Sequence, residues 1–298
     1  MKPGHPCILP FLFALLLWAG CKDKPHVFPE TSTKDFASYW DTGEAEITGY
    51  EATLNIHNSK YTGTTLLICD TEDFSRSKHV KLEAPEKHKA DVIRVMKLHT
   101  ISEWITGLYK HSAMTSVYTP VEVTEEPHSL KLTCAVQEWN GQTYIQADWK
   151  NNRYDFQQMS YTEPDRAGQY SLAMGWLEDE VWTKIRLAPN SLPAGKMKMI
   201  PGMLYLRYHA AVENKMYEAN AALTKTGDHY AYVIEYPELH RKLSIAFESN
   251  FPYHILGWQE TVNGKDFTNG KRINTIRSAF WKHDQASDQA LRKDLGLQ

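Results

Sequence analysis

The chain of 298 residues carries 33 lysine and arginine residues against 36 aspartate and glutamate residues, a formal net charge of −3. Acidic and basic side chains are interspersed, so the sequence lacks the basic face of a nucleic-acid-binding protein, and we expect no nucleic-acid partner. The length suits one large domain or two small ones.

The first twenty residues are typical of a secretory signal. A short basic start precedes an apolar run at 8–19, which is shorter than the roughly twenty residues that a membrane-spanning helix needs. Ala19 and Gly20 stand directly before Cys21, and this ending resembles the lipobox of bacterial lipoproteins. The resemblance implies cleavage before Cys21 and acylation of its thiol and its new amino group. An ordinary secretory signal and an uncleaved anchor are the alternatives.

This N-terminus determines the expected organisation and location. Acyl chains on Cys21 would anchor the protein to a membrane, since each buried methylene contributes about 0.8 kcal/mol. Lys22 follows Cys21 in place of the aspartate associated with inner-membrane retention, which favours the outer membrane, on its periplasmic or its surface side. The expected segments are a signal peptide at 1–20, a lipidated tether with a short helix at 21–45, and a β-rich domain at 46–298, with halves at 46–175 and 176–298 as an alternative division.

Two of the four cysteines are expected in the folded domain, because Cys7 leaves with the signal and Cys21 is acylated. Cys134 lies in the alternating segment LKLTCAV, which predicts a buried strand position. We interpret Cys69 and Cys134 as free thiols that pack as small hydrophobes. A Cys69–Cys134 disulfide is the main alternative, because the envelope is oxidising enough to form one.

The first half of the domain reads as strands after one short helix at 33–40. Segments rich in Tyr, Thr, Ile, Val and Leu alternate with turn signals. Asn140-Gly141 is a two-residue hairpin signal. The predicted strands cover 46–57, 61–71, 91–100, 129–139, 142–150 and 153–162.

The middle of the chain predicts a helix, since Leu177, Val181 and Ile185 recur at every fourth position. We interpret the acidic residues 178–180 as a solvated first turn that the helix dipole favours. The strand pattern then returns, and a short C-terminal helix is predicted at 284–297. The predicted strands of this half cover 196–200, 203–211, 216–224, 229–236, 242–248, 253–262 and 272–281.

About a dozen strands with short turns and no regular strand–helix alternation predict a mainly β protein. We expect an antiparallel sheet that forms a half-open barrel or a sandwich, with one mid-chain helix and short terminal helices.

Motifs with a known chemical role are missing from the sequence. It contains no G-x-G-x-x-G, Walker loop, G-x-S-x-G or H-E-x-x-H pattern, and its thirteen histidines are scattered. We therefore expect no cofactor and no metal, and we assign no catalytic residue. A site assembled from distant residues is compatible with the sequence.

One polar segment, 106–120, provides candidate ligand-binding residues. It combines Tyr109, His111 and Tyr118 with serines and threonines and has few large aliphatic residues. Such a mixture suits a polar pocket, although a long loop whose hydroxyls bond their own backbone is the alternative. Arg207 is a fourth candidate, with a solvent-facing strand position as its alternative.

Several segments carry a resemblance to a known family. The order TGLYKHSAMTSVYTPV, VQEWNGQTY, WLEDEVW and a terminal LRKDLGL resembles an uncharacterised lipoprotein family of Bacteroidota-type bacteria, often labelled septum formation inhibitor Maf. True Maf nucleotide pyrophosphatases have an S-x-S-P-R-R-like loop and an α/β fold. This chain has neither, so the resemblance implies no such activity. The segments 243–248 and 253–261 are also similar to half-barrel lipoprotein domains that carry or sense lipids.

We expect a non-enzymatic cell-envelope lipoprotein that binds a hydrophobic or amphiphilic ligand on a curved β-sheet. The alternative is an envelope assembly protein that docks a partner protein. The third hypothesis, a hydrolase with a dispersed site near His111, requires a nucleophile and a base within about 3 Å in a cleft.

Overall fold

Strands dominate the computed structural model, which describes residues 27–56, 59–161 and 167–297. Fifteen strands are found within these described ranges. They are β1 (Ala45–Ile56), β2 (Ser59–Ser75), β3 (Val92–Thr106), β4 (Tyr109–Pro120), β5 (Lys131–Glu138), β6 (Gly141–Lys150), β7 (Arg153–Ser160), β8 (Gly168–Ala173), β9 (Trp176–Leu177), β10 (Gly195–Ile200), β11 (Tyr217–Thr226), β12 (His229–Tyr236), β13 (Arg241–Glu248), β14 (Ile255–Val262) and β15 (Lys265–Ser278).

Helices are few and short in the same part of the chain. The α-helices are α1 (Thr33–Trp40), α2 (Glu180–Leu187) and α3 (Met203–Tyr208), and the 3₁₀ turns are Pro85–Lys87, Pro189–Ser191, Pro237–Leu239, Phe280–Lys282 and Ala286–Leu295. The described helices include none that is long and apolar enough to cross a membrane.

All fifteen strands belong to one sheet, in the order β8-β7-β6-β5-β4-β3-β2-β1-β15-β14-β13-β12-β11-β10-β9. The chain starts at the centre with β1, runs outward to one edge at β8, and returns from the other edge at β9. Neighbouring strands are antiparallel except for the short β9–β10 pair. The mainly β, antiparallel class predicted from the sequence is confirmed.

The sheet curls into a barrel-like shape with an unpaired seam. Its two edge strands, β8 and β9, follow each other in the chain with Met174 and Gly175 between them, so the edges lie close together. The loop before β11 is tied to the β8 edge of the sheet, because the Asn214 side-chain amide donates to Gln158 Oε1 (3.0 Å) and to Tyr170 Oη (2.7 Å). A half-open barrel describes this arrangement better than a sandwich does.

Helices α2 and α3 occupy the inside of the curved sheet. Val181 and Ile185 of α2 pack with inward side chains of β1–β3 and β10–β14. Met203 and Leu206 of α3 pack with inward side chains of β4–β7. The concave face is therefore a filled core.

The C-terminal 3₁₀ turn covers part of the outer face of the sheet. Leu295 packs with Ala45, Ile47 and Ile68. Gly49 on β1 is required at this contact, since a Cβ there would lie 2.1 Å from the Leu295 carbonyl oxygen.

Two predicted elements and one alternative reading differ clearly from the structure. The segment predicted as a strand at 203–211 forms α3, because the Asp179 carboxylate accepts from the Met203 amide (3.0 Å) and caps the first turn. Leu177 belongs to β9, so the mid-chain helix begins at Glu180 instead of 177. The polar segment 106–120 is not a loop: most of it forms β4, which pairs with β3 and β5 on its two sides.

Candidate ligand-binding site

The structure brings together three of the four candidate residues taken from the sequence. Tyr109 and His111 lie at the start of β4, and Arg207 lies on α3 inside the barrel. Tyr118 is seven residues along β4 from His111, and its ring packs outside the barrel on Phe74 (centroid distance 5.0 Å). Tyr118 is therefore not part of the same site. The alternative for Arg207, a solvent-facing strand position, is not supported, because this residue is partly buried on a helix.

The three residues meet at one end of the barrel, which we call the mouth. The mouth is the end that carries the β3–β4 and β5–β6 turns. Phe28 packs at the opposite end, where its ring contacts Tyr230, Phe247 and Tyr253. Cys21 and the whole expected signal lie outside the described residues.

Glu138 joins the candidate residues into one cluster. Its Oε1 lies 3.2 Å from His111 Nδ1 and 3.4 Å from Arg207 Nη2. The His111 ring stacks on Tyr109 (5.0 Å between centroids) and lies 6.4 Å from the Tyr208 ring. The cluster thus combines a carboxylate–guanidinium pair, whose charges offset each other, with aromatic walls.

Three polar atoms in this cluster lack a hydrogen-bond partner among the described residues. They are Trp104 Nε1, His111 Nδ1 and Tyr208 Oη; the His111–Glu138 contact is within ion-pair distance but lacks hydrogen-bond geometry. Trp104 pairs with His111 in register across β3–β4, and its ring lies 6.3 Å from Tyr208. Buried polar atoms are nearly always satisfied by protein, water or ligand, so this concentration calls for an occupant.

At least two of these atoms offer protons. An indole nitrogen is a donor only. Burial, and then the charge of Glu138, raises the pKa of Tyr208 well above its usual value, so its hydroxyl keeps its proton at neutral pH. The cluster is therefore suited to a group that accepts hydrogen bonds.

Tyr208 also forms part of the wall of a cleft at the mouth. The cleft has a volume of about 540 Å³, which lies within the range of roughly 300–1,000 Å³ that is usual for ligand pockets. Ile56, His209, Val262 and Phe267 contribute to its lining.

A second cavity lies deeper, between α2, α3 and the sheet, and it is too small for an amphiphile. Its volume is about 90 Å³, enough for a few water molecules. Arg241 donates to both oxygens of Glu178 and to Glu260, and Thr268 donates to Glu260 (2.8 Å). These polar groups satisfy one another, whereas Thr53 Oγ1 and Trp104 Nε1, which also line this cavity, lack a hydrogen-bond partner among the described residues.

The acidic residues at the start of α2 were interpreted as solvated, and this is wrong. Glu178 and Glu180 are buried, and Asp179 is partly buried. Glu178 binds Arg241, while Glu180 accepts from the amides of Ser129 (2.7 Å) and Leu177 (3.1 Å). Acidic residues at the start of a helix fit the helix dipole whether the helix is exposed or buried. The sequence pattern therefore did not reveal that the barrel encloses this helix.

The far end of α2 is held by another buried ion pair. Arg186 donates to both carboxylate oxygens of Glu46 on β1. Burial alone would raise the pKa of Glu46, but Arg186 and His254 hold it well below its usual value, so the carboxylate is charged.

Cys69 and Cys134 are buried free thiols. They lie on β2 and β5, three strands apart in the sheet, a separation of roughly 14 Å at the usual strand spacing. This exceeds the reach of a disulfide, whose Cα atoms lie within about 7 Å. The alternative of a Cys69–Cys134 bridge is therefore not supported.

The hydrolase hypothesis finds no complete site in the part of the chain that the structure describes. The ring and ion-pair contacts of the His111 side chain there are with Tyr109, Glu138 and Tyr208, and none is a serine or cysteine nucleophile. The sequence analysis missed a different pair, His99 Nδ1 and Ser116 Oγ, which are 2.7 Å apart. Ser116 is buried, which withholds its hydroxyl from a substrate.

The described ranges contain no group of three or more His, Cys, Asp or Glu side chains placed so that they could hold a metal ion.

Comparison with known proteins adds one remote likeness. No family model matches the sequence, and no curated protein matches it significantly. A solved structure of a beta-barrel-like protein of domain of unknown function DUF1849 from Brucella abortus is similar, with 7% sequence identity and a TM-score of 0.47 over 78% of this chain and 98% of that chain. This likeness is too remote to bear on function.

Proposed function

We propose that this β-barrel-like protein is a non-enzymatic lipoprotein of the cell envelope that binds an amphiphilic ligand at the mouth of the barrel. The observation that carries the proposal is the meeting of three polar atoms that have no hydrogen-bond partner among the described residues, on Trp104, His111 and Tyr208, at this one place. They adjoin a cleft of ligand size through Tyr208.

The cluster specifies the polar part of the ligand. Trp104 and Tyr208 supply donors, so the head group needs an acceptor such as a carbonyl or ester oxygen. Glu138 and Arg207 lie close enough to balance each other's charge, so a neutral head group suits the site better than a strongly charged one. The rest of the ligand would lie in the cleft, whose lining combines apolar Ile56, Val262 and Phe267 with polar and charged side chains, among them Lys60, Lys265 and Asp266; this mixed lining suits an amphiphile.

The lipid anchor in this proposal rests on Cys21 and the sequence before it. The described chain begins at Val27, and the Val27 and Phe28 amides both donate to Asn190 Oδ1 (3.0 Å each). This attachment holds Val27 and Phe28 at the end of the barrel away from the mouth, which supports an anchor at Cys21 on that side. An anchored protein would therefore keep its mouth clear of the anchoring point.

Native mass spectrometry tests the proposal. The chain from Lys22 onward, which contains every residue that the structure describes, is purified from its own cell envelope without detergent. We expect a small-molecule adduct that disappears on denaturation. In Tyr208→Phe, the loss of one hydrogen bond of about 1 kcal/mol should weaken retention roughly fivefold.

Tyr118→Phe is the matched control, because it removes the same hydroxyl from a partly buried tyrosine outside the barrel. It should retain the adduct as the wild type does. A bare mass for the wild-type protein, or equal loss in both variants, would contradict binding at the mouth.

A further inference from the structure

Large apolar side chains are exposed around the half of the mouth that β3–β7 form. We call Ile105, Leu108, Trp139, Met159 and Tyr161 the rim patch; each of these residues is between 51% and 83% exposed. Scattered exposed apolar residues are normal on a protein surface, but a contiguous group usually marks an interaction site.

The rim patch spans three neighbouring hairpin ends, and two contacts link these ends. Trp139 in the β5–β6 turn stacks on Tyr109 at the start of β4 (5.8 Å between centroids). Tyr161 lies over Gly141, where an added Cβ would come within 2.8 Å of the Tyr161 ring. Tyr109 also stacks on His111, so the rim patch adjoins the candidate site.

The chemistry of the rim patch fits a lipid surface. Trp and Tyr combine an apolar ring with a polar atom and are enriched where hydrocarbon meets water. The exposed parts of Trp139 and Tyr161 alone offer roughly 300 Å². The adjacent charges of Lys110 and Glu103 are paired (2.6 Å), so nothing in the rim patch favours anionic lipid over neutral lipid.

The side chains also lie at turns and strand ends. Leu108 and Trp139 are in hairpin turns, and Tyr161 directly follows β7. Side chains at hairpin tips can enter a soft interface without a complementary surface, whereas a stable protein interface needs about 800 Å² of matched surface on each partner.

We propose that the rim patch inserts into the surface of a neutral membrane and so places the mouth against lipid. Because Phe28 packs at the opposite end of the barrel, this membrane surface is distinct from the point where an acylated Cys21 would be held. Membrane contact at the rim does not require that the mouth binds a ligand. An experiment can therefore contradict either proposal and leave the other intact.

Vesicle flotation tests this proposal with the chain from Lys22 onward, which has no acyl group. Vesicles are made of phosphatidylcholine, or of phosphatidylcholine with phosphatidylglycerol. We expect binding to both, with little change at high salt because no charge is involved. Trp139→Ser should reduce binding about tenfold, since it removes one of the largest exposed apolar surfaces.

Trp281→Ser is the matched control, because Trp281 is also an exposed tryptophan but follows β15, away from the mouth. Its binding should stay within about twofold of the wild type. The proposal is overturned by absence of flotation, by binding that needs phosphatidylglycerol and vanishes in salt, or by equal losses in the two variants. Occupation of the rim patch by a second copy or another protein in place of lipid would also overturn it.

Discussion

Buried charged residues hold α2 inside the barrel. Arg186 is fully enclosed and donates to both oxygens of Glu46, and Arg241 is enclosed between Glu178 and Glu260. Such buried ion pairs contribute little net free energy to folding, because the cost of desolvating the charges offsets their attraction. They do specify where each partner must sit, since an unpaired charge in the core is strongly unfavourable. We interpret them as fixing the position of the helix in the barrel.

Glu46→Gln should therefore be strongly destabilising. The substitution leaves the Arg186 guanidinium buried without its anionic partner, which typically costs about 3–5 kcal/mol. Urea denaturation followed by circular dichroism measures this change in the free energy of unfolding.

Glu103→Gln is the control, since the Glu103–Lys110 pair is exposed. An exposed pair contributes at most about 1 kcal/mol. Similar free energies of unfolding for the two variants would show that the Glu46–Arg186 pair does not hold α2 as described.

Residue types alone identified part of the candidate site. Tyr109 and His111 were selected because aromatic and titratable side chains concentrate in 106–120. Glu138 and Trp104 were missed, since each looks like an ordinary strand residue until the pairing β3–β4–β5 brings them beside His111. The acids at 178–180 were misjudged for the same reason: one sequence does not reveal what surrounds a helix.

The two inner helices are coupled through Asp179. This residue precedes α2, and its carboxylate accepts from the first amide of α3, at Met203. Burial, and then the charge of Glu178, raises the pKa of Asp179 to about 7. The Asp179 carboxyl group in this contact therefore changes its charge within the physiological pH range.

This raised pKa predicts the sign of a pH effect on stability. Between about pH 4 and pH 7 the folded state holds a proton on Asp179 that the unfolded state has lost, so the contribution of Asp179 to stability falls as the pH rises. The loss is up to about 4 kcal/mol across this range. Asp179→Asn cannot ionise and keeps an oxygen that can accept from Met203.

Urea denaturation of the wild type and Asp179→Asn at several pH values checks the prediction. The stability of the variant relative to the wild type should increase from pH 4 to pH 7. A constant difference would mean that Asp179 does not titrate in this range in the folded protein.

Local patterns predicted the strands better than they predicted the helices. Alternating segments such as LKLTCAV form strands as expected, because an alternating strand has one face against a core. The segment 203–208 was assigned to a strand from its apolar and aromatic residues, yet it forms α3 after Pro201-Gly202, where Asp179 caps it. The cap comes from 24 residues earlier in the chain, so no local pattern contained it.

At the scale of the molecule, the barrel has a filled interior and a mouth with unsatisfied polar atoms. The predicted barrel-like class was correct because it depends on strand number and turn spacing. The predicted ligand position on the inner sheet face stays a prediction, and the sequence could not show that α2 and α3 enter the barrel and fill much of that face. The exposed apolar side chains of the rim patch lie beside the same mouth.

The proposed ligand accepts a hydrogen bond from the Trp104 indole N–H at the mouth. Nuclear magnetic resonance tests this claim most directly, because each tryptophan gives its own indole N–H signal. The Trp104 signal is assigned from the spectrum of Trp104→Phe. A neutral monoacylglycerol, which carries an ester carbonyl, serves as the probe.

We expect the Trp104 indole proton to shift downfield and to exchange more slowly with water as the probe is added, while the signals of Trp258 and Trp182, which line the small inner cavity together with Trp104, stay in place. An unmoved Trp104 signal, or shifts confined to Trp258 and Trp182, would contradict binding at the mouth.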